Sequence, residues 1–153
     1  MELDPEVKWR TMIGIFINYM STVHQVLKAQ LDDETHKTIM QEIGFKFWGE
    51  QAQALSSIFN ISPGSAIDVS TIEKILAALF DLKLKIVSET EDEVVFDCEY
   101  RFCPIRIGLR PSLGEYCQYC GLFLQFLLNQ IDPNFKNRVS IEGDICHHKI
   151  TRK

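Results

Sequence analysis

The first 97 residues of this chain contain no cysteine. The N-terminal region also lacks the basic segment and apolar core of a secretory signal, and no stretch reaches the roughly 18 apolar residues of a membrane span. Basic charge is scarce, since the net charge is -5 and the isoelectric point is near 5.4. These absences predict a cytoplasmic protein that has no membrane span and does not bind nucleic acid.

Sequence motifs of the common enzyme classes are absent too. The chain has no nucleophile elbow, no HExxH zinc motif, no phosphate-binding glycine loop and no dinucleotide fingerprint. Its length of 153 residues and hydrophobic share of 46% are those of an ordinary globular domain with a core of its own. We therefore expect a single domain over residues 1–153.

Helical patterns occupy the first half of the chain. Asp4-Pro5-Glu6 has the composition of a helix start, and apolar residues then recur at helical spacing. Asp32-Asp33 separates this helix from a second one, whose continuity is weakened by Gly44 and Gly49. Ser70-Thr71-Ile72-Glu73 matches a capping box and predicts that a third helix begins there.

The second half alternates between hairpins and one long helix. Leu84 to Ser88 and Val94 to Phe102 read as two strands joined by a polar turn, and Ile105 to Leu109 as a further short strand. A helix that is apolar nearly all round follows at about residues 112–130, which predicts a buried central helix. Residues 139–150 read as a closing hairpin. The order predicts an α+β fold, with N-terminal helices and an antiparallel sheet of about four to five strands.

The soft ligands that zinc or iron prefers are concentrated near the C-terminus. The candidate ligands are Cys103, Cys117, Cys120, Cys146, His147 and His148. Zinc fingers and ribbons carry two closely spaced ligand pairs, whereas this chain has one clean CxxC pair and a scattered remainder. The pattern therefore predicts a metal site but leaves a structural or catalytic role open.

The clean pair allows three interpretations. Cys117 and Cys120 lie three residues apart in the predicted central helix, so both side chains point to one face and can share a metal ion. They could also form a reducible disulfide, but thioredoxin-type pairs sit at a helix N-terminus and this pair lies further inside. Free cysteines also commonly behave as small buried apolar residues. All three interpretations remain open.

Strand alternation sorts the other candidates. Cys146 and His148 share one face of the last strand, and His147 takes the other, so a metal bound on the Cys146 face would use His148 first. Cys103 precedes a proline and can point inward from an extended backbone. Cys98 falls on the same strand face as Phe96, and we interpret it as a core residue. The predicted site lies between the central helix and the closing strand.

A resemblance to a known family rests on features of the second half, over about residues 84–151. An apolar helix carries a cysteine near its start, and a Gly-Asp turn precedes a cysteine in a closing strand. The matching positions are Cys117 with Gly121, Val139 to Glu142, Gly143-Asp144, and Cys146 with Ile150. In these features the chain resembles the vinyl-4-reductase domain, a small-molecule or hydrocarbon-binding domain.

That resemblance implies an α+β fold shared with haem-nitric-oxide sensor domains and vesicle-tethering transport-particle subunits. It also implies an apolar cavity near the central helix, cysteine and histidine residues able to hold a metal at the cavity mouth, and a homodimer. We therefore predict a binding or sensor domain for a small apolar ligand, with a Cys/His site for zinc or iron.

An alternative comes from the closing strand, which is also similar to the aminothiazoline-carboxylate hydrolase family. That similarity implies a small metal- or thiol-dependent hydrolase, in which a metal-bound water could be the nucleophile and Glu115 or Asp144 could assist. A third possibility is an interaction module whose cysteines are simply buried.

Overall fold

The computed structural model describes residues 4–80, 82–99, 103 and 113–153, and for Ile17, Trp48 and residues 113–119 it describes the backbone alone. The described residues form four helices, α1 (Pro5–Gln30), α2 (Asp33–Phe59), α3 (Ala66–Leu79) and α4 (Leu113–Ile131). The strands within the same residues are β1 (Leu84–Glu89), β2 (Glu93–Glu99), β3 (Phe135–Glu142) and β4 (Ile145–Arg152). The predicted α+β fold is confirmed. The predicted strand Ile105–Leu109 lies outside the described residues.

The sheet is antiparallel throughout, in the order β1-β2-β4-β3. The two predicted hairpins, β1–β2 and β3–β4, meet along β2 and β4, which become the two central strands. The inner face of these strands packs towards α3 and α4, and α2 covers α4. The core of the protein therefore lies between the sheet and the helices. None of the described helices is long and apolar enough to cross a membrane.

Helix α3 begins one turn earlier than the sequence pattern predicted. The N-cap is Ser65, whose Oγ accepts a hydrogen bond from the Asp68 backbone N–H at 3.1 Å. Ser70 lies inside the helix and donates its hydroxyl to the Ile67 carbonyl at 2.8 Å. Both Ser65–Asp68 and Ser70–Glu73 fit a capping box, and the assignment to the second was wrong. Glu73 is consequently an interior residue on the buried face of α3.

Helix α2 is continuous through both of its glycines. A Cβ built on Gly44 would come within 2.8 Å of the Phe123 ring on α4. Glycine at this position therefore permits the close contact of α2 with α4. The packing gained there compensates the cost of about 1 kcal/mol that glycine imposes on a helix interior. The doubt raised by Gly44 about the continuity of this helix was misplaced.

Candidate functional site

The pairing of β2 with β4 brings three potential metal ligands together. Cys98 lies directly opposite Cys146, and Phe96 lies opposite His148. Because side chains alternate along a strand, Cys98, Cys146 and His148 all point to the inner face of the sheet. All three are buried, with at most 7% of each residue exposed. The prediction that Cys146 and His148 share one face is confirmed.

The three side chains form a compact group. His148 Nε2 lies 3.3 Å from the Cys146 sulfur and 4.0 Å from the Cys98 sulfur. One ligand atom from each residue falls within 4.8 Å of the others. The described residues form no other group of this kind. Two ligands of a tetrahedral zinc ion lie about 3.5–3.8 Å apart, given zinc bonds of about 2.0–2.3 Å. Small side-chain shifts would therefore suffice to bring the three atoms to zinc-binding distances.

Glu73 orients the imidazole. Its Oε2 lies 2.9 Å from His148 Nδ1, and both side chains are buried. A carboxylate in this position accepts a hydrogen bond from Nδ1–H and leaves Nε2 directed at the two sulfurs. Histidines that bind metals commonly have such a carboxylate partner on their second ring nitrogen. The donor set and its orientation therefore suit a metal ion.

Burial and mutual hydrogen bonds set the protonation of the group in the absence of a metal. The hydrogen bond from the Cys146 thiol, helped by His148 and opposed by burial, lowers the pKa of Cys98 to about 5. Burial alone lowers the pKa of His148, but Cys98 and Glu73 outweigh it and raise that pKa to about 10. The hydrogen bond to Cys98, together with burial, raises the pKa of Cys146.

Near neutral pH the metal-free group therefore holds one thiolate beside an imidazolium ion. His148 Nε2 is closer to Cys146 than to Cys98, so the negative charge belongs to the thiol pair rather than to one sulfur. A thiolate next to an imidazolium that is itself held by a carboxylate is also the arrangement of cysteine nucleophiles. The geometry thus suits either metal binding or thiol chemistry.

Cys98, His148 and Glu73 lie in the wall of an apolar cavity of about 200 Å³. For scale, a cavity of about 150 Å³ in another protein accepts benzene. Side chains of all four helices line it, among them Phe16, Met20, Met40, Leu76, Phe123 and Leu127. Of the described lining residues, Glu73 and His148 are the ones with acidic or basic side chains, and Cys98, Cys103 and Cys120 add thiols. The cavity combines a long apolar wall with one polar region.

The other predicted ligands are distributed unevenly around this cavity. Cys103 and Cys120 are buried, line the cavity and interact electrostatically with Cys146. His147 points to the outer face of the sheet, as predicted, and its Nδ1 lies 2.6 Å from Asp97. The side chain of Cys117 lies outside the described residues, so its pairing with Cys120 stays a prediction.

Two residues of the site, Cys98 and Glu73, were not predicted from the sequence to belong to it. Cys98 is indeed a core residue, but it also contacts His148, and Glu73 was assigned to a helix cap. Cys98 could have been found by asking which residues share the inner face of each central strand. Aromatic side chains at helical spacing are usually core residues, but Tyr19, Phe45 and Phe59 are exposed, and so are Phe16 and Phe47, which line the cavity.

The fold of this chain is shared with a solved structure. The chain is similar to the crystal structure of a trafficking protein particle complex subunit 3 from Naegleria fowleri covalently bound to palmitic acid. The TM-score is 0.60 at 14% sequence identity, over 97% of this chain and 96% of that chain. At this identity the likeness shows the fold alone. It confirms the expectation that this chain has the fold of transport-particle subunits.

No protein-family model matches the sequence, and no curated protein matches it. Membership of the vinyl-4-reductase family therefore stays a prediction.

Proposed function

We propose that this protein binds a small apolar molecule or acyl chain in its cavity and holds a zinc ion in the cavity wall. The ligands of the zinc are Cys98, Cys146 and His148, with Cys120 or Cys103 completing the tetrahedron. The observation that carries the proposal is the buried Cys/Cys/His group within a cavity that is otherwise apolar. An acyl chain suits the ligand class, because the structurally similar subunit carries palmitic acid.

Metal content tests the first half of the proposal. Untagged protein analysed by elemental mass spectrometry should contain close to one zinc per chain, and Cys146→Ser or His148→Ala should remove most of it. His147→Ala is the matched control, because His147 is the sequence neighbour of His148 but points to the opposite face. Metal below about one-tenth per chain, or equal loss in both histidine variants, would contradict the zinc site.

Cavity filling tests the second half. Ala77 is buried in the cavity wall, whereas the adjacent Ala78 is exposed. Ala77→Leu should weaken binding of the fluorescent apolar probe phenylnaphthylamine, because the added methyl groups occupy the space that the probe needs. Ala78→Leu should leave binding unchanged. Equal behaviour of the two variants would show that the probe binds elsewhere.

A second function, a thiol-dependent hydrolase, is favoured by the Glu73–His148–cysteine arrangement. In that reaction the thiolate attacks the carbonyl carbon of an apolar ester, and the imidazolium protonates the departing alcohol. Water, deprotonated by His148, then releases the acid and restores the thiol. The two functions use the same sulfurs, so they respond oppositely to metal. Removing zinc with a chelator should increase turnover of nitrophenyl decanoate if the thiol is the catalyst, and His148→Ala should abolish it.

We also propose a homodimer formed through the exposed apolar face of α1. Met12, Ile15 and Tyr19 recur at helical spacing and are 64%, 64% and 65% exposed. Exposed apolar stripes of this kind are typical of interaction surfaces. A second copy suits this stripe, because two α1 helices paired about a twofold axis would cover the same residues on both.

The oligomeric state tests this interface. In sedimentation experiments Tyr19→Glu should convert a dimer to a monomer, whereas Asn18→Glu, at the neighbouring exposed position, should not. A monomeric wild-type protein would refute the dimer without affecting the cavity or the zinc site.

A further inference from the structure

Glu73, a residue of the cavity wall, carries a carboxylate oxygen that no described residue satisfies. Glu73 is only 4% exposed, and its two carboxylate oxygens differ. Oε2 accepts the hydrogen bond from His148, whereas Oε1 is buried and has no hydrogen-bond partner among the described residues. Glu73 also lines the cavity. An unpartnered acceptor on a residue of the cavity wall is a position to which a ligand, after a small movement of the side chain, can supply the missing donor.

An unsatisfied buried acceptor is costly. Leaving such a group without a partner typically lowers an equilibrium constant about tenfold or more. Native proteins therefore satisfy the great majority of buried polar groups. A ligand that donates a hydrogen bond to Glu73 Oε1 would recover this cost on binding, whereas a purely apolar ligand of the same size would not.

The remaining wall of the cavity narrows the chemistry further. No lysine or arginine is among the described lining residues, and the single histidine is already held between Glu73 and the thiols. A carboxylate ligand would therefore meet the Glu73 carboxylate, while His148, the basic side chain among the described lining residues, is already paired with Glu73. A hydroxyl or ammonium group has the donor that Oε1 accepts.

We infer that Glu73 determines the specificity of the cavity for long-chain molecules that end in a hydrogen-bond donor, an alcohol or an amine. The donor bonds to Oε1, and the apolar chain lies against the aromatic and aliphatic side chains of α2 and α4. This inference rests on the proposed binding of an apolar ligand. It adds that the ligand is amphipathic and that a free fatty acid binds less well.

A matched pair of ligands tests the inference. 1-Decanol and methyl nonyl ether have the same number of heavy atoms, but only the alcohol donates a hydrogen bond. In displacement of phenylnaphthylamine from the wild-type protein, decanol should bind about tenfold more tightly than the ether. Decylamine distinguishes an ammonium from a hydroxyl preference, and decanoate should be the weakest of the four.

The variant Glu73→Met removes the acceptor while keeping a long apolar side chain. The ratio of decanol to ether affinity should fall to about one, because the variant has no Oε1. This ratio is an internal control, since general damage to the fold weakens both ligands alike. If the variant does not fold, the ratios measured on the wild-type protein decide.

The outcomes separate the inference from the proposed function. Equal binding of decanol and ether to the wild-type protein overturns the role of Glu73 and leaves the apolar-ligand function standing. Displacement by none of the four ligands overturns the proposed ligand function, and the inference with it. A tenfold preference that persists in Glu73→Met also overturns the inference.

Discussion

His147 and His148 are sequence neighbours with the same chemistry and opposite surroundings. Each has a carboxylate partner on its Nδ1, at 2.6 Å for Asp97 and 2.9 Å for Glu73. The outer pair remains partly exposed, at 32% and 24%, whereas the side chains of the inner pair are 9% and 4% exposed. The alternation of a single strand therefore places two equivalent histidines in two different electrostatic environments.

The strength of a histidine–carboxylate interaction depends on the surroundings of the pair. On the outer face, His147 Nε2 lies 3.6 Å from Glu142, which is itself 89% exposed, so water can replace either partner. On the inner face both side chains are buried, and the second nitrogen faces two sulfurs. Electrostatic interactions are stronger at low dielectric, and an unpaired charge there is correspondingly more costly.

The largest expected difference between the two faces is in stability. His148→Leu leaves the Glu73 carboxylate buried without its partner, and we expect the free energy of unfolding to fall by about 3–5 kcal/mol. His147→Leu removes a partly exposed pair and should cost about 1 kcal/mol or less. Urea denaturation of both variants, in metal-free protein, measures the difference.

Similar losses of unfolding free energy in the two variants would show that burial does not make the inner pair more important for stability than the outer pair. A double variant sharpens the test, because Glu73→Met combined with His148→Leu removes both partners. It should be more stable than His148→Leu alone, since the unpaired carboxylate is gone.

A change of pH should have an intermediate effect on stability, through the titration of Cys98 and His148 on the inner face. The lowered pKa of Cys98, about 5 against 9.0, stabilises the fold above pH 9 and loses this contribution as pH falls through 5. The raised pKa of His148, about 10 against 6.5, stabilises the fold below pH 6.5 and loses it as pH rises through 10. The two contributions overlap most between pH 6.5 and 9. Lowering the pH from 6.5 to 5 should therefore reduce the free energy of unfolding of the metal-free protein by roughly 1 kcal/mol.

Thiolate absorbance in the ultraviolet follows the same group directly. In chelator-treated protein one thiolate should disappear with a midpoint near pH 5, and His147→Leu should not move that midpoint because it lies on the outer face. A midpoint near the ordinary cysteine value of 9.0 would refute the ion pair.

The faces of each strand could be predicted from the sequence, but the pairing between hairpins could not. Alternation alone put Cys146 with His148 and turned His147 outward, because the period of a strand is fixed by its backbone. Whether Cys98 faces Cys146 depends on the register of β2 against β4, and these strands lie 45 or more residues apart in different hairpins. A short turn fixes register within a hairpin, but no local signal fixes it between two hairpins.

The place where α3 begins also could not be predicted from the sequence. Two capping patterns, Ser65–Asp68 and Ser70–Glu73, occur near the start of α3, and both satisfy the local chemistry of a helix start. Tertiary packing selected Ser65, and this choice placed Glu73 on the buried face opposite His148. The buried central helix could be predicted, because the apolar circumference of α4 is a property of its sequence alone. The site depends instead on which elements meet.

The smallest expected effect concerns the outer pair and its sensitivity to salt. Asp97→Asn removes a carboxylate that stays about one-quarter exposed, and should lower the free energy of unfolding by about 0.5 kcal/mol at low ionic strength. Salt near 1 M shortens the screening distance to about 3 Å and should erase most of that difference. The large cost of His148→Leu should persist in the same salt, because both side chains of the inner pair are buried and salt screens a buried pair much less. If salt reduced both effects in proportion, the two faces would share one dielectric environment, and the distinction between the two histidines would be one of orientation alone.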